Sequence, residues 1–590
     1  MKHFGLFLLA IGCANAQSYD ILLRNGSVID GTGAPAYRAD VAIRNGFIRE
    51  IGNLKNAKAA VVLDVTGLVV APGFINIHSH ATAEGIATAA NMLTQGVTTE
   101  IINADGASST DIKKQLAFFS EKGLALNLGA YVGFNSVWAA VVGQADRRPS
   151  AEEIQRMRDL LTANLKQGAW GVSAGLDYKP GYFARRDEVI EVMKAAAPWR
   201  TNFPNHDRLT PESNYSSLAA IAETIEIGEK AGVMPVITHM KVQGREQGGA
   251  PKAVAMMREA SKRGHETVAD IYPYLAGQTG LGALFVPAWA VSGGREETLK
   301  RFRDPELRAR IAREIEVAIE ARVLTPENID IPSKGRRFSS YMKAFNAGAG
   351  ETMIRILETE HPSAIMKFGA EADLIELLRF PGSAVSCDCG AIEPTERPGM
   401  HPRYYGTFPR VLGHYVRETK ALTLEDAVRK MSGLPASIIG IANRGFLAPG
   451  MAADVTVFDP ATVIDHATYE QPALVSTGIR HVIVNGSLAL RDAKVENSKR
   501  TGLVLTRTAN MPSRYPHFVV ARSKTRFVDP KTKTEIRLVR KGIVQTHGKW
   551  SSFTAIANIA GETHAILVIA DGSIRIEVDD GRTFEIPLRN

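Results

Sequence analysis

Apolar residues follow two alternating patterns along the central part of the chain, residues 71–439. Short apolar runs of strand length are separated by stretches such as SLAAIAETIEIGEKAG, in which apolar residues recur at the spacing of one helix face. Alternating strands and helices favour an α/β fold with a parallel sheet, and eight such units favour a closed, TIM-like (β/α)8 barrel. The eight predicted strands lie in APGFINIHSH, GVTTEIINADG, ALNLGAYVGF, AWGVSAGLDY, WRTNFPNH, VMPVITHM, ETVADIYPY and SAVSCDCG.

Both flanks of this region show the shorter period of strands. Asn25-Gly26 and Asn45-Gly46 each lie between apolar runs, a pattern that indicates β-hairpin turns. After residue 440 the runs RGFLAPGMAADVTVFDP and IRHVIVNGSLAL are again strand-like. We therefore predict that residues 18–70 and 440–498 form one small β-sandwich domain built from both flanks.

Two further segments fall outside these units. Residues 285–350 are long for one connection and contain the helical pattern DPELRARIAREIEVAIEARV, which indicates an insertion over the mouth of the barrel. Residues 499–590 are predicted to be a β-rich C-terminal extension, with hairpin turns at Asp571-Gly572 and Asp580-Gly581.

The first residues, MKHFGLFLLAIGCANAQS, have the pattern of a secretory signal peptide over residues 1–16. Lys2 precedes a short apolar run, and Ala14-Asn15-Ala16 fits a small-residue cleavage site. The prediction is an exported protein, periplasmic or extracellular, with lipoprotein anchoring through Cys13 as an alternative. No later apolar stretch has the length of a membrane span, so none is predicted.

Composition narrows the classes of partner. The chain has 590 residues, 45% of them hydrophobic, and a formal charge of +8, but no basic run is interleaved with aromatic residues. This distribution is typical of a solvated surface and argues against a nucleic-acid partner. Beyond Cys13, the only cysteines are Cys387 and Cys389; their spacing on a predicted strand argues against a mutual disulfide and favours packing roles.

Polar side chains end several of the predicted strands, and in a barrel these ends meet at one mouth. His78 and His80 are two residues apart, so both point to the same face of their strand. A single histidine of this kind is often structural, but histidines and aspartates that converge from several strands suit zinc or a similar divalent ion. The strand-end residues are His78, His80, Asp105, Tyr178, His206, His239, Tyr272 and Asp388.

Several motifs carry a family resemblance. APGFINIHSH resembles the first-strand signature of the amidohydrolase superfamily of metal-dependent hydrolase barrels. WGVSAGLDYKPGYFA, VITHMK, DIYPY, HPRYYGTFPRVLGHYVRE and LAPGMAADVTVFDP are similar to the N-acyl-D-amino-acid deacylases, or D-aminoacylases, within it. The resemblance runs from about residue 19 to residue 495 and leaves out the C-terminal extension.

The resemblance implies a metal-dependent hydrolysis of N-acyl-D-amino acids, small-molecule substrates, to a carboxylate and a free D-amino acid. It implies one tightly bound divalent ion, zinc by preference, and a second, weaker position. Asp105 stands where the family has a cysteine, and its harder oxygen can change the metal preference. By position, the resemblance implies that Asp105, His206 and His239 bind the main metal ion and that His78 and His80 bind the second one. It implies proton transfer by Asp388. The implied substrate-binding residues are Lys241, Tyr178, Tyr272 and Arg403.

Two alternatives stay open on the sequence. One is a related amidohydrolase that acts on dipeptides or cyclic amides; Lys241 discriminates, because a cyclic amide without a carboxylate gives that lysine no partner. The other is a non-catalytic, barrel-based binding protein, against which the presence of Asp388 argues.

Overall fold

The structure, a computed structural model, describes residues 18–393, 399–496, 500–507, 526–547, 550–570, 573–578 and 582–587. The predicted signal peptide with Cys13, and the predicted turns at Asp571-Gly572 and Asp580-Gly581, lie outside these residues.

Each of the eight segments predicted to be a parallel strand does contain a strand, and all hydrogen-bonded pairs of these strands run parallel. They are buried along most of their length, which explains their continuous apolar runs. The first three form one sheet and the others a second, which begins with the short strand Val132–Gly133. The strands are Phe74–Ser79, Val97–Ile102, Asn127–Ala130, Val172–Gly175, Asn202–His206, Met234–Ile237, Val268–Ile271 and Ser383–Val385.

Helices connect these strands, and their ends follow from the sequence. Ala151–Lys166 begins at Ser150, which forms a capping box with Glu153, and it buries residues one turn apart, Met157 and Leu161. The helices are Ala83–Ile86, Ala90–Leu93, Ile112–Lys122, Phe134–Val141, Ala151–Lys166, Arg186–Met193, Ser217–Ala231, Ala250–Lys262, Ala288–Val291, Arg295–Arg303, Pro305–Val323, Phe338–Phe345, Ala349–Thr359, Glu371–Arg379, Arg403–Arg410, Val411–Glu418, Leu424–Met431 and Gly433–Ile439.

Strands from both flanks share one sheet, because Val69–Pro72 pairs antiparallel with Val455–Phe458. Asn45-Gly46 forms the predicted two-residue hairpin, with both residues at positive φ. The hairpin prediction at Asn25-Gly26 is wrong: these residues form a bulge inside the first strand. The strands of this sheet are Ser18–Val28, Tyr37–Arg44, Phe47–Gly52, Lys58–Asp64, Val69–Pro72, Val455–Phe458, Ile479–Val484, Ser487–Arg491 and Lys494–Val495.

The segment between the last two parallel strands is longer than the predicted insertion of residues 285–350. It begins and ends with strands that pair with each other, Ala276–Gly280 and Ser363–Lys367, and Ile329–Ile331 joins the same sheet beside Arg336–Arg337. Five of the helices lie between Ala276–Gly280 and Ser363–Lys367, and apolar side chains of the segment form a cluster of their own. The framing strands are far apart along the chain, so their pairing leaves no local pattern in the sequence.

The C-terminal part has two described pieces. Residues 500–507 run beside the third parallel strand, where Leu505 N donates to Leu128 O at 2.7 Å. The rest is an antiparallel sheet with its own apolar cluster. Within the described ranges, no helix has the length and apolarity needed to cross a membrane. The strands of this last sheet are Arg526–Val528, Glu535–His547, Trp550–Ile559, Glu562–Ala570, Ser573–Val578 and Thr583–Pro587.

Candidate metal centre and active site

The predicted histidine pair lies at the end of the first parallel strand. His78 is fully buried, whereas the side chain of His80 is 38% exposed and borders an open cavity. Nε2 of His78 lies 3.4 Å from Oδ1 of Asp105, and Nε2 of His80 lies 3.4 Å from Oδ2 of the same carboxylate. The two imidazoles therefore face one carboxylate from one strand end, as the period of the strand predicts.

A second pair of histidines approaches Asp105 from the other side. His206 ends its strand, and His239 lies two residues beyond the end of the next one. Nδ1 of His206 and Nε2 of His239 are 3.0 Å apart, and each is 3.7 Å from Oδ1 of Asp105. Asp105 is therefore shared by two groups of candidate ligands, one with His78, His80 and Asp388, the other with His206 and His239.

Two buried atoms at the centre of these groups make no hydrogen bond within the described structure. They are Nε2 of His78 and Oδ1 of Asp105. A buried polar atom without a hydrogen bond costs free energy of folding, so these two atoms need a further partner. Imidazole nitrogens and carboxylate oxygens are the donors that zinc and similar divalent ions use, so these residues fit such an ion.

Burial alone would lower the pKa of His78, but the carboxylates of Asp105, Asp270 and Asp388 raise it well above its usual value. Their combined negative charge favours a cation at this point of the structure.

The pKa of His239 shifts the other way. Burial lowers it, and the positive charge of Lys241 lowers it further. His239 is therefore neutral, which is the form of imidazole that binds metals.

Asp388 projects into the same cluster after the last parallel strand. Its Oδ1 lies 3.1 Å from Nε2 of His80 and 3.5 Å from Nε2 of His78, and its Oδ2 accepts a 2.6 Å hydrogen bond from Arg403. Burial would raise the pKa of Asp388, but Arg403 and then His78 lower it strongly. The group is therefore an ionised carboxylate.

The structure contradicts the expectation for the two cysteines, because Cys387 and Cys389 form a disulfide. Their strand ends at Val385, and Asp388 between them has φ 48°. The turn brings their Cα atoms to 4.9 Å, within disulfide range. The prediction failed because it continued the strand through all three residues.

Three of the predicted substrate-binding residues surround the metal-ligand cluster. The rings of Tyr178 and His206 have centroids 4.4 Å apart, and Tyr272 lies under the guanidinium of Arg403, with 5.1 Å from Cζ to the ring centroid. Arg403 is buried and also donates to Gln278 O at 3.4 Å. Its partner in this structure is the carboxylate of Asp388, a pairing that the sequence did not predict.

Lys241 follows His239 but not on a continuing strand. The strand ends at Ile237 and His239 has φ 34°, so the chain turns before the lysine. Nζ of Lys241 donates to Nδ1 of His239 at 2.9 Å and lies 5.1 Å from the ring centroid of Phe368. The lysine therefore lies beside the candidate ligands through this turn and not through a continuing strand.

A cavity of about 720 Å³ opens over this group. His80, Asp105, Asp388, Tyr178 and Arg403 contribute to its wall, so two of the candidate ligands and Asp388 border a space open to solvent. The remaining wall includes Lys179, from the loop after the fourth parallel strand, and Gln278 and Thr279, from the strand Ala276–Gly280.

Sequence reasoning missed Asp270, which contacts two histidines of the cluster, His78 and His239. Its carboxylate lies 3.4 Å from Nδ1 of His78 and accepts hydrogen bonds from the backbone N of His239 and from Ser386 Oγ. A carboxylate in this position orients an imidazole so that its other nitrogen faces the ion. Asp270 is two residues before Tyr272, and the period of a strand could have placed both on one face.

A buried pair behind the cluster was also missed. Asn76 donates to Glu100 at 3.1 Å and accepts from the backbone N of Cys387, so it joins the first and last parallel strands. Burial raises the pKa of Glu100 to about 7.

Comparison with known proteins gives the family. The model of the Amidohydrolase family matches residues 393–489. A D-aminoacylase of Alcaligenes xylosoxydans xylosoxydans is 33% identical over 522 residues, which cover 84% of this chain and 99% of the relative. The chain belongs to the D-aminoacylase family.

Other members of the D-aminoacylase family agree with this assignment. An N-acyl-D-glutamate deacylase of the same organism is 31% identical, with 84% of this chain and 98% of the relative covered. The structure of N-acyl-D-glutamate deacylase from Bordetella bronchiseptica, complexed with zinc and a phosphonate inhibitor, has a TM-score of 0.69 and 30% identity, covering 83% of this chain and all of that one. The chain is thus an enzyme, a metal-dependent amidohydrolase with the fold of this family.

Proposed function

We propose that this enzyme is an exported deacylase that hydrolyses N-acyl-D-amino acids to a carboxylate and a free D-amino acid. The observation that carries the proposal is the convergence of four histidines around Asp105, together with Asp388, in one cluster whose members His80, Asp105 and Asp388 line a cavity. The names of the relatives, D-aminoacylase and N-acyl-D-glutamate deacylase, support the substrate class.

Zinc is the proposed ion, in line with the zinc in the Bordetella bronchiseptica relative. His206, His239 and Asp105 would hold the main ion, and His78 and His80 a second, weaker one. Such an ion supplies Lewis acidity, which makes an amide carbonyl more electrophilic and a water molecule more acidic.

Asp388 would move the proton. Its ionised carboxylate lies at the cavity wall and within 3.5 Å of both His78 and His80. It would accept a proton from the attacking water and return that proton to the departing amine nitrogen. The hydrogen bond from Arg403 orients the carboxylate for this transfer.

Three side chains would bind the α-carboxylate of the substrate. Arg403 is a buried cation and Lys241 a half-buried one, both beside the cluster, and Tyr272 lies next to Arg403 and His239. Tyr178, beside His206, would close the opposite wall. Low exposure strengthens such charge-assisted contacts, because water competes with them less.

We further infer that the eight parallel strands close into one (β/α)8 barrel. A parallel bridge between Ser79 and Cys389 joins the first and last strand regions, and the hydrogen bond from Trp170 N to Ala130 O joins the third and fourth. The domain limits, residues 18–70 with 440–498, 71–439 and 499–590, and export by the N-terminal segment belong to the same proposal.

A substrate panel with metal analysis tests the function. The enzyme, loaded with zinc, should release free amino acid from N-acetyl-D-amino acids and much less from the L-isomers. Turnover should fall when a chelator removes the zinc and return when zinc is added back. Equal turnover of both isomers, or of cyclic amides alone, would contradict the substrate class; full turnover without metal would contradict the chemistry.

A further inference from the structure

The proposed proton acceptor lies inside a very small covalent loop. Asp388 is the single residue between Cys387 and Cys389, whose sulfurs are bonded to each other. Both cysteines are completely buried, and neither is among the residues that line the cavity. The bond is therefore placed to act on the conformation of Asp388 and not on the substrate.

The conformation of Asp388 is one that needs support. Its φ of 48° is in the left-handed region, which residues other than glycine rarely adopt, although aspartate tolerates it better than most. In this conformation the carboxylate reaches His80 at 3.1 Å and Arg403 at 2.6 Å. An extended Asp388, as on a continuing strand, would aim its side chain in another direction.

Hydrogen bonds hold the two ends of the loop to the first parallel strand. The backbone N of Cys387 donates to Asn76 Oδ1 at 3.1 Å, and the backbone O of Cys389 accepts from His80 N at 2.7 Å. These contacts fix where the loop lies. The disulfide spans Asp388 itself and limits rotation about its own backbone.

We propose that the Cys387–Cys389 disulfide is a positioning element that holds Asp388 in the orientation needed for proton transfer. The inference rests on the proposed role of Asp388. Without the bond the loop gains other backbone conformations, and the carboxylate spends less time in reach of His80 and the substrate. A displacement of about 1 Å at a reacting group can cost roughly 100-fold in rate.

The inference makes activity dependent on the redox state of the pair. A dithiol reductant attacks one sulfur, displaces the other as a thiolate, and then closes into its own cyclic disulfide. Two electrons and two protons pass from the dithiol to Cys387 and Cys389, which become thiols. An oxidising compartment, such as the one proposed for this exported enzyme, keeps the bond intact.

Cysteine variants of the zinc-loaded full chain test the proposal. Cys387→Ser, Cys389→Ser and the double variant should each lower kcat by about 10- to 100-fold, with KM and zinc content close to those of the parent. The three losses should be equal, because any one substitution removes the same bond. Parental kcat in the double variant, or losses that multiply, would overturn the proposal.

If the variants do not fold, reduction of the parent enzyme gives the same test. Peptide masses should first show the pair linked, two hydrogen atoms lighter than the dithiol form. As a dithiol exposes thiols over time, kcat should fall in step while zinc is retained, and it should recover on reoxidation by oxidised glutathione. Free thiols in the active enzyme, or full kcat after reduction, would overturn the proposal.

An Asp388→Asn variant separates this proposal from the proposed function. If Asp388→Asn keeps turnover, the role of Asp388 is wrong whatever the thiols do. If Asp388→Asn loses turnover while the disulfide-free enzyme does not, only the positioning role is wrong.

Discussion

At the scale of single residues, the structure gives each member of the cluster a different electrostatic setting. His239 is neutral beside Lys241, while Asp388 is ionised beside Arg403. A neutral imidazole is suited to bind a metal, and an ionised carboxylate is suited to accept a proton. This contrast between neighbours is what a hydrolytic site requires, and it leads to separate predictions for the two residues.

Replacing His239 should remove metal and activity together. His239→Ala takes away one of the two histidines on the His206 side of Asp105. Because changes even behind a ligand cost 10- to 100-fold in metal affinity, loss of a ligand should cost roughly 100-fold or more. Metal content by atomic emission and turnover on the same sample measure both effects. Full zinc occupancy in the variant would exclude His239 as a ligand.

Asp388→Asn should separate metal binding from turnover. The amide keeps the shape of the side chain but cannot accept the proton, so kcat should fall about 10²- to 10⁴-fold while zinc remains bound. The variant also breaks the buried contact with Arg403, which can lower stability by itself. Asp454→Asn is the matched control, since it breaks a similar buried pair with Arg444 away from the cavity. The control should lose stability but not kcat.

Lys241→Met tests whether Lys241 binds the α-carboxylate of the substrate. A charge-assisted hydrogen bond is worth about 1.5 to 3 kcal/mol, so kcat/KM for N-acyl-amino acids should fall about 10- to 150-fold. The same substrate with its carboxylate capped as an amide should lose much less. Because Lys241 also donates to His239, zinc content is measured in parallel. Equal losses on both substrates would show that the lysine supports the site without binding the carboxylate.

The residues at strand ends were predictable for a physical reason. His78, Asp105, His206 and His239 follow apolar runs that had to be buried strands, and parallel strands end together. Asp270 was not predicted because Tyr272 is the polar residue nearer the end of the same predicted strand. The disulfide was not predicted because the strand ends at Val385 and the chain turns at Asp388, and no local sequence pattern indicates this turn.

At the scale of elements, the long insertion is tied to the site by one buried ion pair. Arg322, on the helix Pro305–Val323, makes two hydrogen bonds of 2.7 and 2.9 Å to Asp177, which follows the fourth parallel strand. Both side chains are almost fully buried, and Asp177 also lies 3.9 Å from His206. The pair therefore joins the insertion to the wall that holds a candidate ligand.

Arg322→Met should destabilise the enzyme by about 3 to 5 kcal/mol, because it leaves the carboxylate of Asp177 buried and unpaired. The double variant Asp177→Asn/Arg322→Met should lose less, since no charge is then left behind. Urea titrations followed by fluorescence give both values. A double variant less stable than the single one would mean that the pair contributes little beyond packing.

The same variant has a defined pH dependence. Burial would raise the pKa of Asp177, but Arg322 lowers it below its usual value of 3.8. A lowered folded pKa adds stability that is present above about pH 4 and is lost as the pH falls through the folded pKa. The stability gap between parent and Arg322→Met should therefore be largest near neutral pH and should narrow in acid. A constant gap would exclude this charge effect.

The elements themselves differed in how far the sequence predicted them. The eight strands were found because burial on both faces makes them continuously apolar. Asn25-Gly26 was misread because this bulge, like a type I′ hairpin turn, has a residue at positive φ, and Asn-Gly favours that conformation in either case. The insertion was underestimated because its framing strands pair with each other across more than eighty residues.

At the scale of the whole molecule, the C-terminal part divides into a piece that packs on the catalytic region and a separate sheet. Residues 500–507 bond to the third parallel strand, where Leu128 N donates to Leu503 O at 2.9 Å, and to Trp170, whose Nε1 donates to Leu505 O at 2.8 Å. The sheet of residues 526–587 has an apolar cluster made only of its own residues.

The contacts of residues 500–507 determine where the chain can be shortened. An enzyme that ends at residue 507 keeps the contacts to Leu128 and Trp170, so it should retain zinc and nearly full kcat. One that ends at residue 499 leaves those backbone and indole groups buried without partners, at about 1 to 3 kcal/mol each, and should be unstable or insoluble. Soluble yield, melting temperature and kcat of the two truncated chains measure this. If the longer one lost kcat with zinc still bound, the final sheet would have to act on the cavity itself.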